Sequence, residues 1–476
     1  MSGEWGGGPE LRLAGLRATI IGLGREGTAL ARFLVEHGAR VTVSDIKPPE
    51  ALAGAISQLR SLDIRYALGG HPDWILAADV LFLSPGVPAD VPVAVEARRR
   101  GVAISSETRL FTRLCPAPII GITGSSGKTT TTTLVGQMLQ AAGRRTWVGG
   151  NIGQPLIGRL GEMVAGDAVV MELSSFQLEG FGPATPPEQA FPPGGWSPEG
   201  AAILNITPNH LDRHPSMEAY IAAKANILRY QRPGGWAVLG ADDPVTQSLR
   251  GQCAGQVWEF SLRGRVEAGA WLQGDTLMWA PRAGAAEPIC QVGEIKLRGR
   301  HNIANMLAAC AVSGAAGAGP EAMRAVATTF AGVEHRLELV RVLDGVSYYN
   351  DSIATSPERA IAAIESFSEP LVLLAGGRDK HLPWQAWAEL VCRRVREVVC
   401  FGEMVPLLER ALAEAGGGPR VHACGTLAEA VQTAARVAQP GDVVLLSPGG
   451  TSFDAFPDFV ARGEAFRAAV SELGKA

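Results

Sequence analysis

The sequence predicts an α/β protein with three domains. Short apolar runs rich in β-branched residues alternate with alanine-rich amphipathic stretches, which is typical of parallel strands covered by helices. Polar, glycine-bearing turns follow several of these runs, where open sheets of this kind place their ligands. At 476 residues the chain is too long for one compact domain. We therefore predict domains at 1–106, 107–332 and 333–476.

The first domain is predicted to hold a Rossmann-like, nucleotide-binding sheet, with strands at 18–23, 40–44 and 80–83 and a helix at 26–37. Gly22, Gly24 and Gly27 form G-x-G-x-x-G between the first strand and the helix. Asp45 closes the next strand about 20 residues later, as in dinucleotide-binding units. The pattern fits an NAD(P) site, a site for another diphosphate nucleotide, or only close packing of helix on sheet.

The second domain is predicted to be a P-loop ATPase-type α/β domain. Residues 119–130 read I-I-G-I-T-G-S-S-G-K-T-T, a glycine turn that joins an apolar strand to a helix. Backbone N–H groups of such a turn surround phosphates, while Lys128 would add positive charge and Thr129 a hydroxyl for Mg²⁺. Ile122 stands where the usual pattern has glycine, so a tight turn with a surface lysine is the alternative.

Three further side chains of this domain are candidates for its chemistry. Glu172 ends a predicted strand at 168–172, where a carboxylate can hold Mg²⁺ or its water shell. His210 follows a strand at 202–205, a position that favours a ligand over a purely structural histidine. Lys224 lies on a helix at 217–228 and, taken alone, reads as a solvated surface lysine.

The rest of the second domain is less regular in its pattern. A helix is predicted at 302–315, and residues 236–300 read as β-hairpins. The segment 180–200 contains six prolines and has no usable periodicity, so we expect a surface excursion without a catalytic role.

The third domain is predicted to be a second Rossmann-like α/β unit. Its strands are expected at 346–349, 371–375, 397–401 and 443–446, each followed by a helical stretch. Polar loops follow three of these strands, at 350–352, 376–380 and 447–454. Each alone could be a turn, but together they indicate a functional edge that faces the phosphate loop.

Composition restricts the function further. The net charge is −4, and no stretch combines lysine and arginine with aromatic residues, so no nucleic-acid partner is expected. The seven cysteines are scattered without C-x-x-C pairs, as in reduced thiols of a cytoplasmic protein. No apolar run reaches the roughly 20 residues that span a bilayer, and no leader pattern is present. We expect a cytoplasmic protein with small-molecule substrates and no membrane insertion.

An ordered series of motifs resembles the Mur ligase family, and within it the branch that adds D-glutamate. The series runs through I-G-L-G-R-E-G, T-G-S-S-G-K-T-T-T-T, G-G-N-I-G, E-L-S-S-F-Q-L, N-H-L-D-R-H, H-N-I-A-N, E-H-R, N-D-S-I-A-T, G-G-R-D-K and L-S-P-G-G-T-S-F-D. It covers essentially the whole chain, and the family's shortened phosphate loop accounts for Ile122. No D-N-P-[RA] stretch of the diaminopimelate- and lysine-adding relatives occurs, which favours D-glutamate.

The resemblance implies roles for matching positions. Contacts to ATP are implied for Gly124, Gly127, Lys128, Thr129, Thr130, Asn302, Arg336 and Asp351. Two Mg²⁺ ions are implied, held by Thr129, Glu172, His210 and Lys224, with Lys224 carbamylated, and catalytic roles fall on Lys128, His210 and Lys224. The uridine nucleotide substrate is implied at Gly24, Glu26, Asp45, Lys47, Ser84, Asn151 and Ser174. The D-glutamate pocket is implied at Thr355, Lys380, Ser452, Phe453 and Phe459.

The reaction that the resemblance implies is amide formation driven by ATP. The alanyl carboxylate of UDP-N-acetylmuramoyl-L-alanine would attack the γ-phosphate, and the amine of D-glutamate would displace phosphate from the acyl phosphate. A monomer with domain motion is expected. Two features depart from the family: Ile353 replaces the lysine of N-D-S-K-A-T, and the 180–200 segment is longer than expected.

Two other functions remain open at this point. One is an NAD(P)-dependent oxidoreductase built on the G-x-G-x-x-G turn and Asp45, with the later loop incidental. The other is a nucleotide-binding regulator without turnover. The first leaves Lys128, Glu172 and His210 without a purpose.

Overall fold

A computed structural model of the chain describes residues 12–182, 195–208, 213–380 and 382–474. Among the described residues the strands form three sheets, of five, nine and six strands. In the N-terminal and central parts the strands are β1 (Arg17–Ile21), β2 (Arg40–Asp45), β3 (Ile64–Leu68), β4 (Val80–Leu83), β5 (Ala103–Ser105), β6 (Ile119–Thr123), β7 (Thr146–Gly150), β8 (Ala168–Glu172), β9 (Gly200–Ile203), β10 (Trp236–Gly240), β11 (Gln256–Ser261), β12 (Gly269–Gln273), β13 (Thr276–Ala280) and β14 (Glu287–Gln291). The C-terminal strands are β15 (Glu338–Leu343), β16 (Val346–Asn350), β17 (Leu371–Gly376), β18 (Val395–Phe401), β19 (Arg420–Cys424) and β20 (Val443–Gly449).

The helices alternate with these strands, which confirms the predicted α/β class. They are α1 (Arg25–Glu36), α2 (Ala53–Leu59), α3 (Pro92–Arg99), α4 (Glu107–Leu114), α5 (Lys128–Ala141), α6 (Ser175–Glu179), α7 (Met217–Arg229), α8 (Pro244–Ser248), α9 (Arg300–Ala315), α10 (Pro320–Thr329), α11 (Pro357–Ile364), α12 (Gln385–Arg394), α13 (Val405–Glu414), α14 (Leu427–Val437) and α15 (Phe459–Glu472). None of them, within the described part of the chain, is long and apolar enough to cross a membrane.

The N-terminal sheet is parallel, in the order β3-β2-β1-β4-β5. The chain leaves β1 toward β2 on one side and later returns to β4 on the other side. The carboxyl ends of β1 and β4 therefore meet at a topological switch point, where open sheets of this kind bind ligands. The glycine turn after β1 lies at this point.

The central sheet has the order β14-β13-β12-β11-β10-β9-β6-β8-β7. Its strands from β7 to β12 are parallel, and β12, β13 and β14 form an antiparallel meander. The predicted hairpins at 236–300 are therefore correct only for the last three strands, since β10 and β11 extend the parallel sheet. β6 is buried at all five positions, which suits a strand covered on both faces.

The C-terminal sheet has the order β15-β16-β20-β17-β18-β19, and only β15 runs antiparallel to its neighbour. The carboxyl ends of β16, β20 and β17 are adjacent. The three polar loops that the sequence singled out follow these three strands, so the prediction that they share one edge is confirmed.

The chain divides into two compact units. The first comprises Met1–Glu294 and Ile303–Thr328, and the second comprises Ile295–Asn302 and Thr329–Ala476. Within the first unit the N-terminal and central sheets share one apolar core, in which Leu30, Phe33 and Leu34 of α1 belong to the same cluster as Leu156 and Ile157. The boundaries predicted at 106 and 332 stay predictions.

Candidate active site

The turn between β6 and α5 is fixed by the segment that follows β9. Asn205 accepts a hydrogen bond from the Ser126 N–H at 2.9 Å through its side chain, and its carbonyl accepts one from Ser125 N–H at 2.9 Å. The Ser125 hydroxyl donates to the Thr207 carbonyl at 2.9 Å. Because two neighbouring strands hold the turn, its backbone is already shaped before any ligand binds.

Glycine is required at the last position of this turn. Gly127 precedes α5 with a φ of 81°, and a Cβ there would overlap the side-chain oxygen of Asn305. Gly124 is also tight, with a hypothetical Cβ 3.0 Å from Cβ of Leu204. Both glycines therefore permit close approach of backbone groups, as a phosphate-binding turn needs.

Lys128 and Thr129 begin α5 at the end of this turn. The Lys128 ammonium donates to the carbonyls of Gly124 and Ser125 at 3.0 and 3.3 Å, so its charge lies over the turn. The Thr129 hydroxyl donates to Oε2 of Glu172 at 2.7 Å. Thr130 is buried one position further along the helix. The positive N-terminal end of α5, the Lys128 ammonium and the Thr129 hydroxyl therefore lie close together.

Glu172 ends β8 beside the turn, and both of its carboxylate oxygens are engaged. Oε2 accepts the bond from Thr129, and Oε1 accepts a bond from the Asn151 amide at 2.9 Å. The Asn151 N–H also donates to the Glu172 carbonyl at 2.9 Å. Carboxylate, hydroxyl and amide oxygens are the donor types that Mg²⁺ prefers, so these residues fit that ion. Among the described residues, no three histidine, cysteine, aspartate or glutamate side chains form a metal-binding group.

Lys224 is buried, which overturns its reading as a surface lysine. Its side chain extends from α7 to the end of β6, where Nζ donates to the Gly124 carbonyl at 2.9 Å and to Oγ1 of Thr123 at 3.3 Å. Burial and, to a smaller extent, the positive charge of Lys128 lower the pKa of Lys224 to about 6, although the negative charge of Glu172 opposes this shift. The free amine is therefore the favoured form of this side chain at neutral pH.

Tyr220 is a residue of this site that the sequence analysis missed. Its hydroxyl lies 3.0 Å from Oγ of Ser125, and its ring lies 4.7 Å from the Lys224 nitrogen. The sequence could have indicated this residue, because it lies four residues before Lys224 and therefore on the same face of α7. His210 and Asp212 lie outside the described residues, whereas His214 is buried and its Nε2 lies 3.0 Å from Oγ of Ser175.

The backbone of the glycine turn after β1 is held by hydrogen bonds to the neighbouring strands. Gly22 has a φ of 97°, and its carbonyl accepts a bond from the Ser84 hydroxyl at 3.1 Å. A Cβ at Gly27 would overlap that same carbonyl, so glycine is obligatory there. Gly24 has open space around it and an ordinary negative φ, so no contact with the described residues requires this glycine.

Asp45 braces this turn. Its Oδ2 accepts from Leu23 N–H at 2.8 Å, and its Oδ1 accepts from Lys47 N–H at 2.9 Å. Glu26, on the first turn of α1, faces the buried Glu107 of α4. Burial raises the pKa of Glu26 to about 7. Burial, together with the negative charge of Glu26, raises the pKa of Glu107 to about 8. Ser174 forms the N-terminal cap of α6, where its hydroxyl accepts from Gln177 N–H at 3.2 Å.

In the second compact unit, hydrogen bonds tie the three polar loops together. The Ser447 hydroxyl donates to Oδ2 of Asp351 at 3.0 Å, and Arg378 and Thr451 exchange two backbone hydrogen bonds of 2.9 Å. Burial raises the pKa of Asp351 to about 7, although the Ser447 bond and the charge of Arg336 oppose this rise. Arg336 itself lies between His335 and Leu337, which both have positive φ.

The residues implied for D-glutamate lie on these loops or beside them. The Lys380 ammonium donates to Oγ1 of Thr355 at 3.3 Å. Ser452 is buried, Phe453 is 61% exposed, and Phe459 begins α15. The sequence analysis missed Arg462, which is fully buried and donates to the carbonyls of Ser352 and Gly450 at 2.8 and 3.1 Å.

Asn302, implied as an ATP contact, lies in the first turn of α9, and its side-chain amide donates to the Arg298 carbonyl at 2.7 Å. The sequence offered one indication that Arg462 is buried: it lies on the same face of α15 as Phe466 and Val470, which is otherwise apolar.

Comparison with known proteins covers nearly the whole chain. Residues 16–106 match the Mur ligase MurD-like N-terminal domain, residues 122–313 the Mur ligase middle domain, and residues 335–450 the Mur ligase glutamate ligase domain. A protein of Symbiobacterium thermophilum named UDP-N-acetylmuramoylalanine--D-glutamate ligase is 44% identical over 461 residues, which is 96% of this chain and 98% of that one. A protein of the same name from a Roseiflexus species is 44% identical over 477 residues, 97% of this chain and 100% of that one.

Solved structures show the same fold at lower identity. The UDP-N-acetylmuramate-alanine ligase of Thermotoga maritima has a TM-score of 0.60 and 19% identity, and the match covers 96% of this chain and 99% of that one. A crystal structure of MurF from Acinetobacter baumannii has a TM-score of 0.57 and 17% identity, with 88% of each chain covered. At this identity the likeness establishes the three-domain fold alone.

Proposed function

Since this chain belongs to the Mur ligase family, we propose that it joins D-glutamate to UDP-N-acetylmuramoyl-L-alanine with the hydrolysis of ATP to ADP and phosphate. The observation that carries this proposal is the nearly full-length identity of 44% to proteins named for that reaction. The chain is an ATP-dependent ligase of peptidoglycan precursor synthesis. Membership of this family excludes the alternative of an NAD(P)-dependent oxidoreductase.

The reaction begins by activating a carboxylate. An oxygen of the alanyl carboxylate attacks the γ-phosphorus of ATP, the bond to the β-γ bridging oxygen breaks, and ADP leaves. The acyl phosphate then takes the attack of the D-glutamate amine at its carbonyl carbon. The tetrahedral adduct loses a proton from nitrogen and expels inorganic phosphate, which leaves the amide. Phosphorylation is needed because a free carboxylate has a poor leaving group.

Lys128 is assigned to the phosphates of ATP. Its ammonium lies over a turn whose backbone N–H groups are held in place by Asn205 and by the segment after β9. Charge spreads over the γ-phosphate oxygens during transfer, and fixed positive groups stabilise that charge without reorganisation. ATP contacts are also assigned to two glycines of this turn, Gly124 and Gly127, and to two threonines at the start of α5, Thr129 and Thr130. Asn302, Arg336 and Asp351 are assigned to adenine, phosphate and ribose, respectively.

Two Mg²⁺ ions are part of the proposal. Thr129 and Glu172 would hold the first, since their oxygens lie 2.7 Å apart beside the turn, and His210 and Lys224 would hold the second. Bound Mg²⁺ supplies positive charge to the transferring phosphoryl group. Lys224 can contribute only as a carbamate, because a protonated amine repels a cation. Its burial and its pKa of about 6 favour the free amine that reacts with CO₂.

The two remaining substrates are assigned to opposite ends of the chain. Gly24, Glu26, Asp45, Lys47 and Ser84 lie at the switch point of the N-terminal sheet and are assigned to the uridine nucleotide. Asn151 and Ser174 follow strands of the central sheet and are assigned to the muramoyl-alanine end. Thr355, Lys380, Ser452, Phe453 and Phe459 are assigned to D-glutamate. A cytoplasmic monomer completes the proposal.

The experiment that tests the proposal measures phosphate release from ATP with Mg²⁺ and UDP-N-acetylmuramoyl-L-alanine. D-glutamate, L-glutamate and no amino acid are compared, and the product mass is determined. We expect both phosphate release and the mass increase to require D-glutamate. Equal rates with the two isomers, or no product with either, would contradict the substrate assignment while leaving the family intact.

A further inference from the structure

The loop that follows β16 binds two cationic side chains. The Lys380 ammonium donates to Oγ1 of Thr355 at 3.3 Å, and Nη1 of Arg359 donates to the Ile353 carbonyl at 3.3 Å. The Thr355 N–H donates to the same Ile353 carbonyl at 2.9 Å. Both cations are therefore held on one short turn, at positions two residues apart.

The two positive charges influence each other. Burial lowers the pKa of Lys380, and the charges of Arg359 and Arg462 lower it further. Arg359 also acts on Asp351 at the start of the loop, because its charge is among those that oppose the raised pKa of that carboxyl group. Like charges held near one another favour an anionic ligand, which would relieve their repulsion.

Neighbouring arginines are already engaged. Nε and Nη2 of Arg378 bind the carboxylate of Glu403 at 2.8 and 2.7 Å, and the buried Arg462 donates to two backbone carbonyls. Arg359, by contrast, is exposed, and within the described ranges it has no carboxylate partner. Its guanidinium therefore has donors to offer a ligand that binds at this loop.

We propose that Arg359 binds one carboxylate of the acceptor amino acid while Lys380 binds the other. This inference rests on the proposed function, which makes the acceptor D-glutamate, an amino acid with two carboxylates. A guanidinium can bind a carboxylate through two parallel hydrogen bonds, and an ammonium supplies a compact charge. Arg359 is thereby a specificity-determining residue, because an acceptor that lacks one carboxylate leaves one cation without its anion.

The first test is the KM for D-glutamate in the full-length enzyme. For Arg359→Ala we expect an increase of about tenfold or more, the range for a lost hydrogen bond to a charged group. The KM values for ATP and for the uridine nucleotide should stay within about twofold, since neither substrate is assigned to this side chain. Arg359→Lys should recover part of the loss. Arg393→Ala, at an exposed arginine of α12, is the matched control and should behave as wild type.

The second test compares D-glutamate with D-glutamine and D-isoglutamine, each of which lacks one carboxylate. The wild-type enzyme should prefer D-glutamate over both amides. Arg359→Ala should lose the preference against one amide, and Lys380→Ala should lose it against the other. Unchanged preferences in Arg359→Ala, together with a KM equal to that of Arg393→Ala, would overturn the inference. Wild-type inactivity with D-glutamate would instead overturn the proposed function, and the inference with it.

Discussion

Two strand–turn–helix units of this chain both have a glycine-containing turn but differ in the contacts that their polar groups make. In the N-terminal turn, Gly27 packs against the Gly22 carbonyl, and both carboxylate oxygens of Asp45 accept backbone N–H bonds. In the turn between β6 and α5, Lys128 places a positive charge and Thr129 a hydroxyl at the start of the helix, beside Glu172. A glycine turn alone therefore does not distinguish close packing from ligand binding, whereas the residues that follow the turn indicate its chemistry.

The buried carboxylates of the two regions differ in the same way. Glu172 accepts bonds from Thr129 and Asn151, which leaves it placed for a cation. Glu107 is buried opposite another carboxyl group, Glu26, and its pKa is raised. The first carboxylate is thus hydrogen-bonded through both oxygens, whereas at Glu107 burial and a neighbouring carboxyl group make a negative charge costly.

The largest expected effect comes from removing the phosphate-loop lysine. Lys128→Ala should lower kcat by about a thousandfold or more, because in the proposed reaction its positive charge acts directly on the transferring phosphoryl group. Its unfolding free energy should change little, since Lys128 binds carbonyls of its own turn. Phosphate release and urea unfolding measure the two quantities, with the exposed Lys296→Ala as control. A Lys128→Ala enzyme that retained a tenth of the wild-type rate would contradict the assignment.

The next effect concerns Lys224. In ¹³C-labelled bicarbonate, a carbamate resonance should appear in the wild-type enzyme and be absent from Lys224→Arg, whose activity should fall by on the order of a hundredfold. The pKa of Lys224 is lowered to about 6, so the amine is free above that pH and protonated below it. The resonance should therefore weaken as the pH falls through 6. A resonance that persisted in Lys224→Arg would place the carbamate elsewhere.

The N-terminal turn should respond through stability instead. Gly27→Ala introduces a Cβ that overlaps the Gly22 carbonyl, and we expect a loss of about 3 kcal/mol in unfolding free energy. Gly24→Ala, where nothing lies within 4 Å, is the matched control and should lose less than about 1 kcal/mol. Urea denaturation checks both values. Similar losses in the two variants would show that the turn is not held by the contact between Gly22 and Gly27.

The smallest expected effect is the pH dependence of Glu107. The pKa of Glu107 rises from 4.5 to about 8 on folding, so between these pH values the unfolded chain releases a proton that the folded chain keeps, and the stability of the fold decreases as the pH rises. Glu107→Gln should therefore be more stable than wild type by about 2 kcal/mol at pH 8, and this gain should vanish at pH 4. Thermal unfolding across this range provides the measurement. A gain of equal size at both pH values would exclude titration of Glu107 as the cause.

The sequence predicted the positions that depend on local chemistry. The glycine turns, the strand ends at Glu172 and Asp351, and the three C-terminal loops follow from motifs whose residues act within a few positions of one another. It could not predict that Lys224 is buried, because burial depends on what packs over α7. It also could not separate the parallel strands β10 and β11 from hairpins, since strand direction is set by partners distant in the sequence.

Arg359 shows the same limit in the loop that follows β16. Its sequence neighbours describe an ordinary first turn of α11, and only the folded loop brings its guanidinium to the Ile353 carbonyl beside the Thr355 that Lys380 binds. Sequence motifs thus identify functional residues whose partners lie close to them in the chain. Residues whose side chains cross a turn to reach their partners can be identified only from the structure.

The measurement that tests the account most directly follows oxygen from the alanyl carboxylate. UDP-N-acetylmuramoyl-L-alanine labelled with ¹⁸O in that carboxylate is incubated with ATP, Mg²⁺ and D-glutamate, and the released phosphate is analysed by mass. Attack of the carboxylate on the γ-phosphorus predicts one ¹⁸O in each phosphate released. Unlabelled phosphate, formed alongside the amide product, would contradict activation of the carboxylate by ATP at the phosphate loop.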